Sequence, residues 1–171
     1  VEDYRYQQWR NEWKNFYIRS YLQIFVLQGI LMLIIAIPVI AINSGMADFV
    51  NVGVGLMIWT VGFVFESVGD WQVKEFIKNK SNRGMVMDKG LWRYTRHPNY
   101  FGEVVMWWGI WVASLGNGSW WTIIGPITIS YLIIFVSGIP LLENKMQKNK
   151  NYQEYMKRTS MFLPWPPKHE S

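Results

Sequence analysis

The sequence predicts an all-α integral membrane protein, with four transmembrane helices in two hairpins and a short amphipathic C-terminal helix, forming part of a larger helical bundle. Three observations predict it. All 17 Lys and Arg residues fall in three clusters, at 5–19, 74–96 and 145–168. The stretches between them, 20–73 and 97–144, hold no Lys or Arg. A soluble chain scatters these residues over its whole surface. Each gap is also long enough for two crossings at about 20 residues per crossing, and each is broken near its middle by uncharged turn residues.

Taken in order, Asn43-Ser44-Gly45, with Asp48 after it, divides the first gap into spans at 17–43 and 49–73. Gly116-Asn117-Gly118-Ser119 divides the second into spans at 98–115 and 119–142. Glycine, Asn and Ser favour turns. Four crossings return the chain to its starting side, so all three basic clusters lie on one face. The positive-inside rule makes that face cytoplasmic. The net charge of +5 then reports topology, and no nucleic-acid partner is expected, because the basic residues flank spans and form no domain of their own. The whole of 1–171 reads as one membrane domain. Its loop at 72–98 and tail at 145–171 face the cytoplasm, and a bacterial inner membrane suits this pattern. Pro38 and Pro140 fall inside apolar spans, which membrane helices tolerate. The segment before the first span carries no signal-peptide pattern. The chain begins at Val1 and reads as the C-terminal portion of a longer membrane protein.

The chain has no Cys and its two His stand at 97 and 169, which excludes a disulfide scaffold and a thiolate or multi-histidine metal site. Four acids lie in or at the edge of spans: Glu66, Asp70, Glu103 and Glu143. A carboxylate in hydrocarbon costs on the order of 3 kcal/mol on insertion scales, so such groups face protein or a water-filled cavity. Glu66, Asp70 and Lys74 share one helix face at i, i+4, i+8 spacing, as do Asn99, Glu103, Trp107 and Trp111. Together these acids outline a polar pocket open to the basic face, with Arg83, Arg93 and Arg96 as positive walls and Tyr94, Tyr100 and Trp107 as aromatic packing. Arg binds phosphate bidentately and aromatic rings stack on flat heterocycles. A nucleotide cofactor suits such a pocket, while the absence of G-x-G-x-x-G and G-x-x-x-x-G-K-[ST] excludes Rossmann and P-loop modes.

The segment Gly90-Leu-Trp-Arg-Tyr-Thr-Arg-His-Pro-Asn-Tyr-Phe-Gly-Glu103 resembles the C-terminal signature of the steroid 5α-reductase family, above all its bacterial membrane branch. Its Arg-His-Pro-x-Tyr core also resembles, more distantly, the isoprenylcysteine carboxyl methyltransferases and the phospholipid methyltransferases. The resemblance continues through Asp70-Trp71-Gln72, Ser137-Gly-Ile-Pro-Leu-Leu-Glu143, and Tyr152-x-x-Tyr155 with Phe162-Leu163-Pro164. Asn99, Gly102 and Glu103, followed by Trp107, together with the acid at Asp70, match the reductase pattern better than the methyltransferase one.

The resemblance implies NADPH as cofactor and reduction of a carbon–carbon double bond in a lipophilic enone, steroid-like or isoprenoid, drawn from the membrane. The alternative it leaves is an S-adenosylmethionine-dependent methyltransferase acting on a lipid or prenylated acceptor. For the reductase it implies that Asn99 and Glu103 bind the nicotinamide amide, that Trp107 lines the cavity beside it and that Asp70 holds the cofactor near its ribose. It further implies that Arg96, His97 and Tyr100 hold the phosphate region or the helix end. Tyr152 and Tyr155 would lie in a tail helix that covers the cofactor, and Arg93 and Glu143 complete the expected cofactor set. Bottom-up, a carboxamide and a carboxylate form a matched acceptor and donor set for the nicotinamide amide. Pro98 suits the first turn of a helix whose free N–H groups face the basic side. The family's ketone-holding Glu and Tyr lie upstream of the matched region, so no catalytic electrophile is assigned here.

Overall fold

The computed structural model describes residues 4–45, 47–116 and 118–168. Among them the regular structure is entirely helical, apart from one isolated bridge between Thr95 and Ser160. Asn117, one of the predicted turn residues, and His169 lie outside the described residues.

Helix α1 spans Tyr4–Glu12. Helix α2 (Phe16–Ser20) runs through a π-helical turn at Tyr21–Val26 into α3 (Leu27–Asn43), so residues 16–43 form one continuous apolar rod. Helix α4 (Phe49–Lys78) starts on Asp48, whose carboxylate accepts the N–H groups of Val50 and Asn51 at 3.0 and 3.1 Å. This cap satisfies two of the four orphan donors of the helix start. The helix continues five residues past the predicted span, so the first part of the 72–98 loop is helical. Helix α5 covers Pro98–Ser114, with Pro98 in its first turn.

The fourth predicted span is discontinuous. A 3₁₀ turn at Ser119–Ile123 leads into α6 (Ile124–Tyr131) and a π-helical turn at Leu132–Val136, and the helix breaks at Ser137 and Gly138 before α7 (Ile139–Met146). The break has a local cause. Pro140 sits in the first turn of α7 and lacks the N–H that would continue the preceding helix. The π turn then carries the Ser137 N–H to the Leu132 carbonyl at 2.7 Å. Helix α8 (Lys150–Arg158) follows on an Asn149 cap, and a non-helical tail ends the described chain.

Three helices are long and apolar enough to cross a membrane: Phe16–Asn43, Phe49–Lys78 and Ser119–Met146. Their outer faces carry many exposed large apolar residues, among them Phe25, Met32, Leu33, Leu56, Met57 and Phe135. An aqueous protein keeps such surface small, so the molecule reads as a membrane protein. The third predicted span, α5, has 17 residues, about 25 Å at 1.5 Å per residue, short of a hydrocarbon core near 30 Å.

Helix α5 is the centre of the bundle, packing on α3, α4 and α6. It runs antiparallel to α4 at backbone contact. A Cβ on Gly62 would come within 2.6 Å of the Gly102 carbonyl oxygen and 2.7 Å of the Met106 nitrogen. One on Gly55 would come within 2.5 Å of the Gly109 carbonyl oxygen. Glycines at 55, 62 and 69, seven residues apart on α4, thus meet 109, 102 and Pro98 on α5. Small residues at such a seam are how helices approach closely when lipid offers no hydrophobic drive. The Trp108 indole N–H donates to the Ser130 hydroxyl at 3.2 Å, which ties α5 to α6.

Candidate functional site

Apart from Arg93, the predicted site residues gather toward the end of the bundle where α5 begins, and they divide into two groups.

The first group is the seam of α4 and α5. Gly69 packs on Pro98 and Asn99, and Gly102 packs on the backbone of Glu66. This contact sets Glu66 and Asp70 against Asn99, Tyr100 and Glu103. The three carboxylates are close enough to act on one another, and Glu103 and Asp70 both act on the Tyr100 hydroxyl. Among the described residues no Lys or Arg forms an ion pair with Glu66, Asp70 or Glu103. One Glu66 carboxylate oxygen and the Asn99 side-chain oxygen are buried without a hydrogen-bond partner. Buried polar atoms are ordinarily satisfied, so this group has unused acceptors. Trp107, half-buried, continues the same face of α5 one turn further.

The second group is a buried clamp. The Arg96 guanidinium donates from Nε to Glu143 Oε1 at 2.8 Å, and from Nη1 to the carbonyls of Met156 and Thr159 at 3.1 and 2.9 Å. His97, 1% exposed, places Nε2 3.1 Å from the same Glu143 oxygen and stacks on Tyr100 with ring centres 5.6 Å apart. Burial lowers the His97 pKa below its ordinary value, against the pull of Glu143 and with a smaller push from Arg96. The ring is therefore neutral near pH 7. Its Nε2 carries the proton toward the carboxylate, which leaves Nδ1 as a bare acceptor, buried and unpartnered. Tyr155, also 1% exposed, donates its hydroxyl to the Trp92 carbonyl, and burial raises its pKa. Tyr152 lies beside Arg96 and Glu143 without completing a hydrogen bond, and burial pushes its phenol up to about 12.

The loop and tail are sewn to this clamp. Gln72 accepts the Leu91 N–H at 3.0 Å, and the Trp92 indole donates to the Gly69 carbonyl at 3.0 Å. Gly90 adopts φ +61 directly over the Gln72 amide, a backbone conformation glycine reaches without strain. The fully buried Thr95 donates to the Phe162 carbonyl at 2.8 Å, Arg96 N–H meets the Ser160 carbonyl at 2.9 Å and Trp165 N–H meets the Tyr94 carbonyl at 3.0 Å. Sequence reasoning missed Gln72, Trp92 and Thr95 as organisers of the site. All three lie within the segments that carry the family resemblance, Asp70-Trp71-Gln72 and Gly90 to Glu103.

Of the expected cofactor residues, Asp70, Asn99, Tyr100, Glu103 and Trp107 thus share the α4–α5 seam. Arg96, His97, Glu143, Tyr152 and Tyr155 share the clamp. Arg93 belongs to neither, being exposed and lining a separate cleft with Lys89, Arg158 and Lys168.

A family model described as a protein of unknown function, DUF1295, matches residues 1–159. The chain belongs to the DUF1295 family. Neither the curated proteins nor the solved structures gave a match. The matched range takes in the seam, the clamp and all of α8, so both groups of site residues are part of the family's common region.

Proposed function

We propose that this protein is an NADPH-dependent membrane reductase acting on an activated carbon–carbon double bond of a lipophilic enone. The observation that carries the reading is the buried, unpartnered Asn99 oxygen beside the unpaired Glu103 carboxylate. The nicotinamide carboxamide offers two N–H donors and one acceptor. Asn99 Oδ1 and Glu103 accept the donors, and the Asn99 amide N–H₂ answers the acceptor. Fixing that amide fixes which ring face is presented. Asp70, exposed on the next turn of α4, accepts a ribose hydroxyl, and Trp107 closes the seam on the bilayer side. Bound there, NADPH supplies a hydride. Arg96 already spends two of its nitrogens on protein partners, so the phosphates draw on cations outside the clamp, Lys74 and Arg83 among them. The resemblance to the steroid 5α-reductases supports the same assignment.

The second reading, an S-adenosylmethionine-dependent methyltransferase, draws on one specific feature. Three carboxylates without a basic partner suit a cationic ligand, and a sulfonium is one. Thermal stabilisation of the detergent-solubilised full-length protein separates the two. NADPH at about 100 times its Kd adds roughly 2.7 kcal/mol, a visible rise in melting temperature. Glu103→Gln weakens that rise. Stabilisation by S-adenosylmethionine alone overturns the reductase.

We also propose that α5 crosses the membrane as a fourth, short span. Arg96, just before α5, bonds Glu143 near one end of the Ser119–Met146 rod. At its other end, the Ser114 hydroxyl lies 2.9 Å from that of Thr122. The two segments therefore span the same thickness. The three basic clusters then share one face, cytoplasmic by the positive-inside rule.

A further inference from the structure

The cleft that holds Arg93 lies outside both groups of the candidate site. It has a volume of about 510 Å³ and is lined by Asp88, Lys89, Gly90, Arg93, Arg158 and Lys168, among others. Arg158 is neutralised by an ion pair with Asp88. Among the described residues Lys89, Arg93 and Lys168 have no acidic partner, so the cleft carries three uncompensated positive charges. Its walls are held in place: the Gln72–Leu91 bond and Trp92 fix the loop side, and the Lys168 N–H to Arg158 carbonyl bond at 2.9 Å fixes the tail side.

Its neighbours are apolar and exposed. On the same tail, Trp165 is 70% and Leu163 63% exposed, and Trp165 lines an adjoining hollow with Met156, Met161 and Lys168. The cleft also stands at a defined depth. Loop 90–97 leads directly into α5 at Pro98, which packs on Gly69 of α4. Twenty residues of α4 from Phe49 end near that glycine, about 30 Å along the helix, so Gly69 and Pro98 mark the edge of the hydrocarbon. A Trp beside free Lys and Arg at that level is the composition of a membrane–water interface, and cations there attract acidic headgroups.

We infer that the cleft between residues 88–93 and 158–168 binds the phosphodiester headgroup of an anionic membrane lipid, with Trp165 and Leu163 resting among its acyl chains. The three charges meet the headgroup's phosphate, and the apolar tail residues meet its chains. The lipid thereby tethers the tail to the bilayer and holds the strap that runs from Thr159 to Phe162 across Thr95 and Arg96.

The test is lipid titration into the full-length protein in neutral dodecyl maltoside micelles, followed by the melting transition. Dioleoyl phosphatidylglycerol stabilises on the order of 100-fold more effectively than dioleoyl phosphatidylcholine at low salt, and the preference shrinks in high salt. The double variant Arg93→Ala, Lys168→Ala, both exposed, melts normally without lipid and loses roughly 30-fold of the phosphatidylglycerol response. Trp165→Ala weakens both lipids equally. Equal stabilisation by the two lipids, or an unchanged response in the double variant, overturns the proposal. So does displacement of phosphatidylglycerol by inorganic phosphate or by NADPH at comparable concentration, which would assign the cleft to a free phosphate or to the nucleotide. The reductase reading stands or falls separately, on Glu103.

Discussion

Glu143 accepts from Arg96 and His97 through a single oxygen, and both partners are more than nine-tenths buried. Glu143→Ala leaves the guanidinium buried without a counter-charge, and breaking a buried pair by removing one partner costs on the order of 3 kcal/mol. The expected result is a clear drop in melting temperature. Glu143→Gln, which keeps one acceptor oxygen, loses less. His97 adds a pH dependence of definite sign. Its folded pKa lies below the ordinary 6.5 because burial beside Arg96 disfavours the imidazolium. Below about pH 6.5 the unfolded chain binds a proton that the folded chain refuses, so stability is complete above that pH and falls as pH drops toward the folded value. His97→Gln should flatten the melting temperature between pH 6.5 and 5 relative to the parent. An unchanged slope would put the titration on another group.

The α4–α5 seam makes the strongest demand at the scale of elements. A methyl on Gly62 meets backbone atoms of Gly102 and Met106, which cannot swing aside, whereas one on Gly53 of the same helix meets nothing within 4 Å. Gly62→Ala should destabilise by about 1–3 kcal/mol through overpacking. Gly53→Ala should be neutral or stabilising by up to about 1 kcal/mol, because alanine is the better helix former. Melting of the pair of variants compares the two directly. The glycines at 55, 62 and 69 and those at 102 and 109 stand seven residues apart in the sequence, but spacing along each helix does not show that the two series meet. Glu66, Asp70, Asn99 and Glu103 were legible because a carboxylate in an apolar run is costly and i, i+4 spacing puts residues on one face. Their separation from Glu143 was not legible. Spacing orders residues along a helix, whereas the break at Ser137 and Gly138 and the reach of Arg96 across to α7 are tertiary facts.

The charge gaps made the helical membrane class readable at the scale of the molecule, because desolvating Lys and Arg is expensive wherever the span falls. Depth was less readable, since α4 outruns its predicted end at 73, although the shortness of α5 already shows in its predicted bounds of 98–115. Whether α5 crosses decides the topology, and the chain suits a direct test because it contains no Cys. Single cysteines at Ser44 and Asn117 mark the two uncharged turns, and cysteines at Ser81 and Gln153 mark the basic loop and α8. With four crossings, an impermeant maleimide applied to intact cells labels Ser44→Cys and Asn117→Cys, and it reaches Ser81→Cys and Gln153→Cys only after the membrane is opened. With three crossings and α5 lying on one side, Asn117→Cys would pair with Ser81→Cys, and Gln153→Cys with Ser44→Cys. The Arg96–Glu143 bond favours the first pattern. It joins the residue two positions before Pro98 to the last turns of the Ser119–Met146 rod, so a three-crossing arrangement would have to pull that bond apart across the bilayer.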